Sequence, residues 1–343
     1  MAVISTKNLP IPEEIRQKFP LSKDLEQKIQ FEKQEIADII EGKNSRKILI
    51  IGPCSAWPSE SVIKYAQKLK PLSDQVSDKL KIVLRCYTQK PRTILGWTGA
   101  GAEPDPFAAA DFLKGIEYCR QMMISVSKIG LPLADELLYL SFYPYISDLL
   151  SWGALGARST EDPEHRNFAS SLEFPVGIKN PTSGSLLIAM NSLLAAQHPH
   201  SFVLNNQQIN TDGNKLSHLV LRGGRDGPNF SRKNLLEVSQ LFNKAEIKNP
   251  AIVVDASHDN SLNSRGKKDY KLQESVILDT IKSMKQEKSV AQNLKGWMVE
   301  SFLFPGNQKL ISREKITEGQ SITDACLGFE QSQRLIENIY KRL

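Results

Sequence analysis

The stretch KILIIGPCS, residues 47–55, is an apolar run that ends at a cysteine, and seven later runs also end at a charged or metal-binding residue. Continuous apolar runs are typical of strands buried on both faces of a parallel sheet. In a parallel barrel the residues at the carboxyl ends of the strands converge on one pocket, whatever their separation in sequence. The eight runs end, in chain order, at Cys54, Arg85 with Lys90, Glu136, Arg158, Lys179, Arg222, His258 and Glu300.

Longer amphipathic stretches separate the runs and predict helices between the strands. Strand–helix alternation repeated eight times is typical of the α/β class and of a (β/α)8 TIM barrel, which is the fold we predict. A doubly wound open sheet is the alternative, but IGPCSAW has a proline and a cysteine where a nucleotide-binding turn needs glycines. The stretches lie at about 58–70, 107–129, 142–151, 163–172, 185–197, 231–244 and 271–285.

Residues 1–45 precede the first strand and are predicted to form an N-terminal arm and helix, with the catalytic barrel in residues 46–343. Ser22 is a suitable N-cap for this helix, and Gly42 can end it. Such an arm either covers the N-terminal mouth of the barrel or pairs with another subunit. We favour pairing, in a homodimer or homotetramer.

One interval departs from the strand–helix alternation. The segment HPHSFVLNNQQINTDGNK lies between a predicted helix and the run HLVLR, with turn residues at Asn205–Asn206 and Asp212–Gly213. We therefore predict an inserted strand or hairpin at about 201–216, beside the barrel.

Composition excludes several classes of protein. The 343 residues are 40% hydrophobic and 24% charged with a net charge of +6, and no Lys/Arg-rich block is interleaved with aromatic residues, so no nucleic-acid partner is expected. No stretch has the pattern of a signal peptide or a membrane span. The four cysteines are scattered, which does not suggest a secreted disulfide scaffold. We expect a cytoplasmic protein without a membrane partner.

Four residues are candidate metal ligands. A thiolate, an imidazole and two carboxylates suit one divalent first-row ion and differ from a Cys-rich structural zinc site. Taken singly, the cysteine could be a small core residue and the histidine a loop cap. Their predicted convergence at strand ends favours a metal site. The candidates are Cys54, His258, Glu300 and Asp324.

Six cations lie in or beside the strand ends, where charges are rarely buried without partners. Structural salt bridges would need matching acids, for which Glu136 is the main candidate, so we expect ligands to supply the missing negative charge. Two phosphorylated substrates, one of them also a carboxylate, would use these cations fully. The cations are Arg85, Lys90, Arg92, Arg158, Lys179 and Arg222.

Nine motifs resemble those of the type I 3-deoxy-D-arabino-heptulosonate 7-phosphate (DAHP) synthases, and the match runs in order from about residue 11 to the end of the chain. GPCS also occurs in the related 3-deoxy-octulosonate 8-phosphate synthases, whereas the combination of KPRT, GARSTE..HR, LRGG and SITDAC is more specific to DAHP synthases. The motifs are IGPCS, RCYTQKPRT, GLPLADE, WGALGARSTEDPEHR, PVGIKNPTSG, LRGG, DASHDNS, MVESFLFPGNQ and SITDACLGFE.

The resemblance implies a metal-dependent, aldol-like condensation of phosphoenolpyruvate with erythrose 4-phosphate and water, the entry step of the shikimate pathway. It implies one divalent ion of the Mn, Fe, Co or Zn type, held by the four candidate ligands. It assigns catalytic roles to Lys90, between the substrates, and to Glu136, beside a water. Phosphoenolpyruvate would be bound by Arg85, Arg158, Lys179 and Arg222. Erythrose 4-phosphate would be bound by Lys90, Pro91, Arg92 and Thr93.

Departures from the family pattern lie around the rim of the predicted site. The 201–216 segment is shorter than in relatives regulated by aromatic amino acids and lacks their strand-like run, and Glu173 replaces a small polar residue. We therefore expect weak or absent inhibition by Phe, Tyr or Trp, as suits an enzyme of specialised metabolism.

Two further expectations concern the substrate and the thiols. The loop GWTGAGAEPDPF and the proline in KNPTSG leave a different aldose phosphate as an alternative substrate, while a non-catalytic barrel would require damaged ligand positions. Cys326 follows Asp324 by two residues and is expected to approach Cys54. Oxidation of that pair would remove a metal ligand.

Overall fold

The computed structural model describes residues 5–92, 96–204 and 207–343. These residues form twelve strands and ten α-helices. The strands are β1 Lys47–Gly52, β2 Leu80–Arg85, β3 Leu133–Glu136, β4 Leu150–Leu155, β5 Val176–Lys179, β6 His200–Leu204, β7 Gln207–Thr211, β8 His218–Leu221, β9 Ile252–Asp255, β10 Leu294–Glu300, β11 Phe304–Asn307 and β12 Gln320–Ser321. The helices are α1 Pro12–Lys18, α2 Lys23–Glu41, α3 Ser59–Gln75, α4 Phe112–Ile129, α5 Pro163–Ser170, α6 Leu186–Gln197, α7 Arg232–Lys244, α8 Gln273–Gln286, α9 Lys288–Asn293 and α10 Phe329–Arg342.

Eight parallel strands close into a barrel in the order β1-β10-β9-β8-β5-β4-β3-β2. They are the eight apolar runs of the sequence, so the predicted TIM barrel is confirmed and the open sheet is excluded. The strand residues are almost entirely buried because helices cover the outer face and side chains fill the inside. Among the described residues, no helix is both long and apolar enough to cross a membrane.

Helix α2 closes the N-terminal mouth of the barrel. It begins at Ser22, whose side chain accepts a hydrogen bond from the backbone N–H of Leu25, and it ends at Gly42 with a left-handed φ of 79°. Its apolar face packs against the barrel interior, and each buried isoleucine contributes about 1.5–3 kcal/mol. Closure of the mouth, and not the subunit pairing that we favoured, therefore buries this face, which comprises Ile36, Ile39 and Ile40.

The inserted segment forms an antiparallel hairpin of β6 and β7, as predicted. Asn205 and Asn206, where a turn was expected, lie outside the described residues. Gly213 has a φ of 83°, and a Cβ there would lie 2.3 Å from the carbonyl oxygen of Gln197, so only glycine fits this turn. Because both strands have five residues, the expectation that the segment lacks a strand-like run is wrong.

Two predicted helices differ from the structure. The stretch predicted as helical at 142–151 instead contains the short 3-10 turns Tyr143–Tyr145 and Ser147–Leu149, followed by the first two residues of β4. Pro144 has no N–H to donate to an α-helical hydrogen bond, which disfavours a continuous helix through this connection. Helix α4 begins at residue 112 because Asp111 caps it by accepting from the backbone N–H of Lys114.

Candidate active site

A cavity of about 200 Å³ lies at the carboxyl ends of the barrel strands. It brings together every predicted site residue except Thr93, which lies outside the described residues. Seven cations and three carboxylates line it, so the cavity favours anionic ligands. The lining comprises Cys54, Arg85, Lys90, Pro91, Arg92, Glu136, Ala157, Arg158, Lys179, Thr182, Arg222, His258, Lys268, Glu300, Thr323 and Asp324.

Three of the four candidate metal ligands form a compact group. One ligand atom from each of Cys54, Glu300 and Asp324 lies within 4.8 Å of the others. Glu300 is fully buried, and its Oε2 accepts a hydrogen bond of 2.8 Å from Ser257 Oγ. Its Oε1 has no hydrogen-bond partner in acceptable geometry among the described residues, although the Arg85 guanidinium lies 3.0 Å away, and such a buried oxygen is available to a bound cation.

His258, the fourth candidate, lines the same cavity but lies outside this compact group. Its backbone has a left-handed φ of 55°, which is rare for a residue other than glycine and is often found at functional sites. Its Nδ1 lies 2.9 Å from Oδ2 of Asp255, a contact that orients the ring.

The donor set fits a divalent cation. Burial raises the pKa of the Cys54 thiol, and the negative charge of Glu300 raises it further. A thiolate therefore needs a compensating positive charge, which a bound cation would provide. A thiolate with carboxylate and imidazole donors suits a first-row transition ion better than Mg²⁺ or Ca²⁺.

Arg85 is a fully buried cation whose two terminal nitrogens have polar partners, whereas its Nε has no hydrogen-bond partner among the described residues. Its Nη2 lies 3.0 Å from Glu300 Oε1, and its Nη1 donates a hydrogen bond of 2.6 Å to the carbonyl oxygen of Pro53. The guanidinium also lies 3.9 Å from the centre of the Tyr87 ring. These contacts fix the arginine rigidly at the base of the cavity.

Two further cations form ion pairs with carboxylates that do not line the cavity. Lys179 Nζ lies 3.3 Å from Asp255 Oδ2, and Arg222 Nη1 lies 2.8 Å from Asp259 Oδ2. Glu136, expected as the main acid partner, forms no ion pair among the described residues. The cations still outnumber the carboxylates at the cavity.

Lys90 lies beside the compact ligand group. Its Nζ donates to the carbonyl oxygen of Cys54 and lies 3.5 Å from the Cys54 Sγ. Arg92, two residues further along, is exposed and is held by a hydrogen bond of 2.8 Å from its Nε to the Trp97 carbonyl oxygen. One short segment thus presents a buried and an exposed cation to the cavity.

Glu136 reaches the cavity because the neighbouring strand leaves room for it. A Cβ at Gly156 would lie 2.1 Å from Glu136 Oε1, so any larger residue there would displace the carboxylate. Glu136 itself is 8% exposed, at the boundary between the strand and the cavity.

The sequence reasoning missed several residues of the site. Thr182, Lys268 and Thr323 line the cavity from loops, and Lys268 Nζ lies 3.6 Å from Asp324 Oδ2. Loop residues have no periodic pattern that would reveal their direction. Asp255 and Asp259, in contrast, flank His258 in DASHDNS and could have been considered as partners of cations.

Comparison with known proteins identifies the family. The family model described as the DAHP synthetase I family matches residues 19–337. The chain is 38% identical over 341 residues to the Tyr-sensitive phospho-2-dehydro-3-deoxyheptonate aldolase of Salmonella typhimurium, covering 98% of this chain and 93% of the relative. It is 37% identical over 340 residues to the Phe-sensitive enzyme of Escherichia coli strain K12, covering 97% and 94%. The structure of phospho-2-dehydro-3-deoxyheptonate aldolase from Francisella tularensis matches with a TM-score of 0.93 at 34% identity, covering 99% of this chain and 98% of that one. The chain therefore belongs to the DAHP synthetase I family.

Proposed function

We propose that the cavity carries out the reaction of the family, the condensation of phosphoenolpyruvate with erythrose 4-phosphate and water to give DAHP and phosphate. This reaction is the first step of the shikimate pathway. The observation that supports this site is one cavity in which seven cations adjoin a compact group of a thiol and two carboxylates. Two anionic substrates and one divalent ion account for both features.

The buried cations are proposed to bind phosphoenolpyruvate. Arg85, Lys179 and Arg222 are each less than a tenth exposed, so their charges act in a low-dielectric environment. Arginine binds phosphate and carboxylate through a planar fork, and lysine acts as a point charge. Arg158 is exposed at the rim, where it can close over the bound anion.

Cys54, His258, Glu300 and Asp324 are proposed to hold one divalent ion of the Mn, Fe, Co or Zn type. When bound, the ion would act as a Lewis acid toward the aldehyde oxygen. The chain orients its donors through Ser257, which bonds Glu300, and through Asp255, which contacts His258. Reconstitution of metal-free protein with each ion, followed by activity and bound-metal analysis, identifies the ion.

Lys90 is proposed as the proton donor, and Glu136 as the residue that orients the attacking water. C3 of phosphoenolpyruvate attacks the aldehyde carbon, and Lys90 Nζ gives a proton to the new alkoxide oxygen. The cationic C2 is captured by water, which transfers a proton to Glu136; phosphate then leaves from C2 and takes the remaining hydroxyl proton, so that C2 becomes the ketone. Holding both anions together despite their repulsion is an orientation effect of several kcal/mol.

Replacement of Lys90 tests this assignment. Lys90→Met should abolish turnover but leave phosphoenolpyruvate binding largely intact, because the buried clamp is unchanged. Lys47→Met is the matched control, since Lys47 is a part-buried lysine at the opposite end of the barrel that donates to backbone carbonyls. Consumption of phosphoenolpyruvate is followed by ultraviolet absorbance, with and without erythrose 4-phosphate and chelator. Near-normal turnover by Lys90→Met would contradict the role of this lysine.

The aldehyde and the assembly are further parts of the proposal. Arg92 is proposed, with Pro91 and Thr93, to bind the phosphate of erythrose 4-phosphate, and its anchor at Trp97 belongs to the loop that departs from the family pattern. Turnover with other aldose phosphates tests this choice of substrate. The proposed assembly is a homodimer or homotetramer. Light scattering after size-exclusion chromatography measures its mass.

A further inference from the structure

Asp135 is a buried carboxylate immediately before Glu136, and it does not line the cavity. It accepts hydrogen bonds from Thr88 Oγ1 at 2.7 Å, from the Thr88 backbone N–H at 3.1 Å and from the Glu136 backbone N–H at 2.7 Å. All three donors are neutral, and no cation of the described residues lies within ion-pair distance of it. The mechanism proposed above gives this buried acid no role.

The hydrogen bonds of Asp135 join two parts of the active site. Thr88 belongs to the segment that follows β2, residues 86–92, which we call the Lys90 segment. On the opposite side this segment pairs with the returning chain, because Lys90 N–H donates to the Thr98 carbonyl oxygen at 2.8 Å and Gly101 N–H donates to the Thr88 carbonyl oxygen at 3.0 Å. Thr88 is therefore held between Asp135 and the returning chain.

We propose that Asp135 is a positioning residue that holds Lys90 and Glu136 in their reacting arrangement through hydrogen bonds and not through its charge. The inference rests on the roles proposed for Lys90 and Glu136. Two of the three bonds reach the Lys90 segment, and the third fixes the backbone of Glu136. Loss of the carboxyl group would leave two buried backbone N–H groups unpaired, and the segment would shift to find new partners.

The surroundings of Asp135 explain why its charge is not needed. Burial raises the pKa of Asp135 to about 7, although its hydrogen bonds oppose this and Glu136 adds to it. The other titratable groups facing it are Cys86 and Tyr87 on the Lys90 segment and Cys119 on α4. A protonated carboxyl keeps all three bonds, because its O–H can donate to the Thr88 hydroxyl, which then acts as acceptor. An asparagine amide can do the same.

Two substitutions at this position separate hydrogen bonding from charge. Asp135→Asn should keep kcat within about threefold of wild type, with a pH–rate profile that superimposes on wild type between about pH 6 and 8. Asp135→Val should lower kcat by about 10²-fold, the effect of a displacement of about 1 Å, while KM for phosphoenolpyruvate stays within about threefold. If Asp135 served only to stabilise the fold, asparagine would not restore kcat while valine lowered kcat without changing KM.

Thr88→Val provides a second test should Asp135→Val fail to fold, since it removes only the hydroxyl bond and should lower kcat about tenfold. Its matched control is Thr280→Val on α8, which removes a buried hydroxyl bonded to Trp297 Nε1 at 2.7 Å and should leave kcat near wild type. Three outcomes would overturn the proposal. Asp135→Asn could be as slow as Thr88→Val, Asp135→Val could have a normal kcat, or Thr88→Val and Thr280→Val could lose kcat equally. Failure of the proposed function appears differently, as full turnover by Lys90→Met or none by wild type.

Discussion

Protonation of His218 should destabilise the barrel as the pH falls below neutral. The ring is fully buried, its Nε2 accepts a hydrogen bond of 3.1 Å from Trp152 Nε1, and its Nδ1 lies 2.9 Å from the Leu216 carbonyl oxygen. The neutral ring thus carries its proton on Nδ1. A second proton on Nε2 would face the indole N–H. Burial lowers the pKa of His218 from its ordinary 6.5 to about 4.

The size of this effect follows from the two pKa values. The unfolded chain takes up the proton near pH 6.5 and the folded chain only near pH 4, so the free energy of unfolding falls between these limits as the pH is lowered. Between pH 7.5 and 5.0 the contribution of His218 is a loss of about 2 kcal/mol. Below pH 4 the loss levels off at about 3.4 kcal/mol.

Urea unfolding of wild type and His218→Phe, with chelator at pH 7.5 and 5.0, measures this loss. The variant does not titrate at this position, but it leaves the Trp152 N–H unpaired, which costs about 1–3 kcal/mol at both pH values. It should therefore be less stable than wild type at pH 7.5, and this gap should shrink by about 2 kcal/mol at pH 5.0. The control, replacement of the exposed His198 by Phe, should keep a constant gap. A constant gap for His218→Phe would refute the reasoning.

Three further predictions concern the active site and its rim. Gly99→Ala should lower kcat at least about tenfold, since φ at Gly99 is 109° and the new Cβ would lie 2.5 Å from the Thr88 carbonyl oxygen. Steady-state kinetics measure this loss, with Gly266→Ala as the control because Gly266 has a φ of 68° but lies in open space. Air-exposed, metal-free protein should form a disulfide between Cys54 and Cys326, because the Cys54 N–H already lies 3.4 Å from Cys326 Sγ; mass spectra with only free thiols would contradict this. Titration with Phe, Tyr and Trp should show weak or absent inhibition, because Glu173 adds an acid to a cavity of about 380 Å³ next to the hairpin. Strong inhibition at submillimolar concentration would count against that reasoning.

The barrel was predictable because each strand is buried on both faces, which leaves a continuous apolar run in the sequence. The same rule placed Arg85 and Glu300 at strand ends, and the structure brings them to 3.0 Å. It could not predict Lys268, because the direction of a loop depends on tertiary contacts. It also could not predict that Asp135 bonds to Thr88, since strand pairing and register determine which side chains meet.

The compact ligand group lies where the first and last strands of the barrel pair. Ion binding is therefore linked to completion of the fold. Gly52 of β1 pairs with Glu300 of β10, Cys54 follows β1 by two residues, and Asp324 belongs to the segment after β10. During synthesis the compact ligand group cannot form until β10 and the segment after it have been made. An ion held there would connect the first and last strands of the barrel, so that separating these strands requires losing the ion. Added metal should therefore slow unfolding of the barrel as well as support turnover.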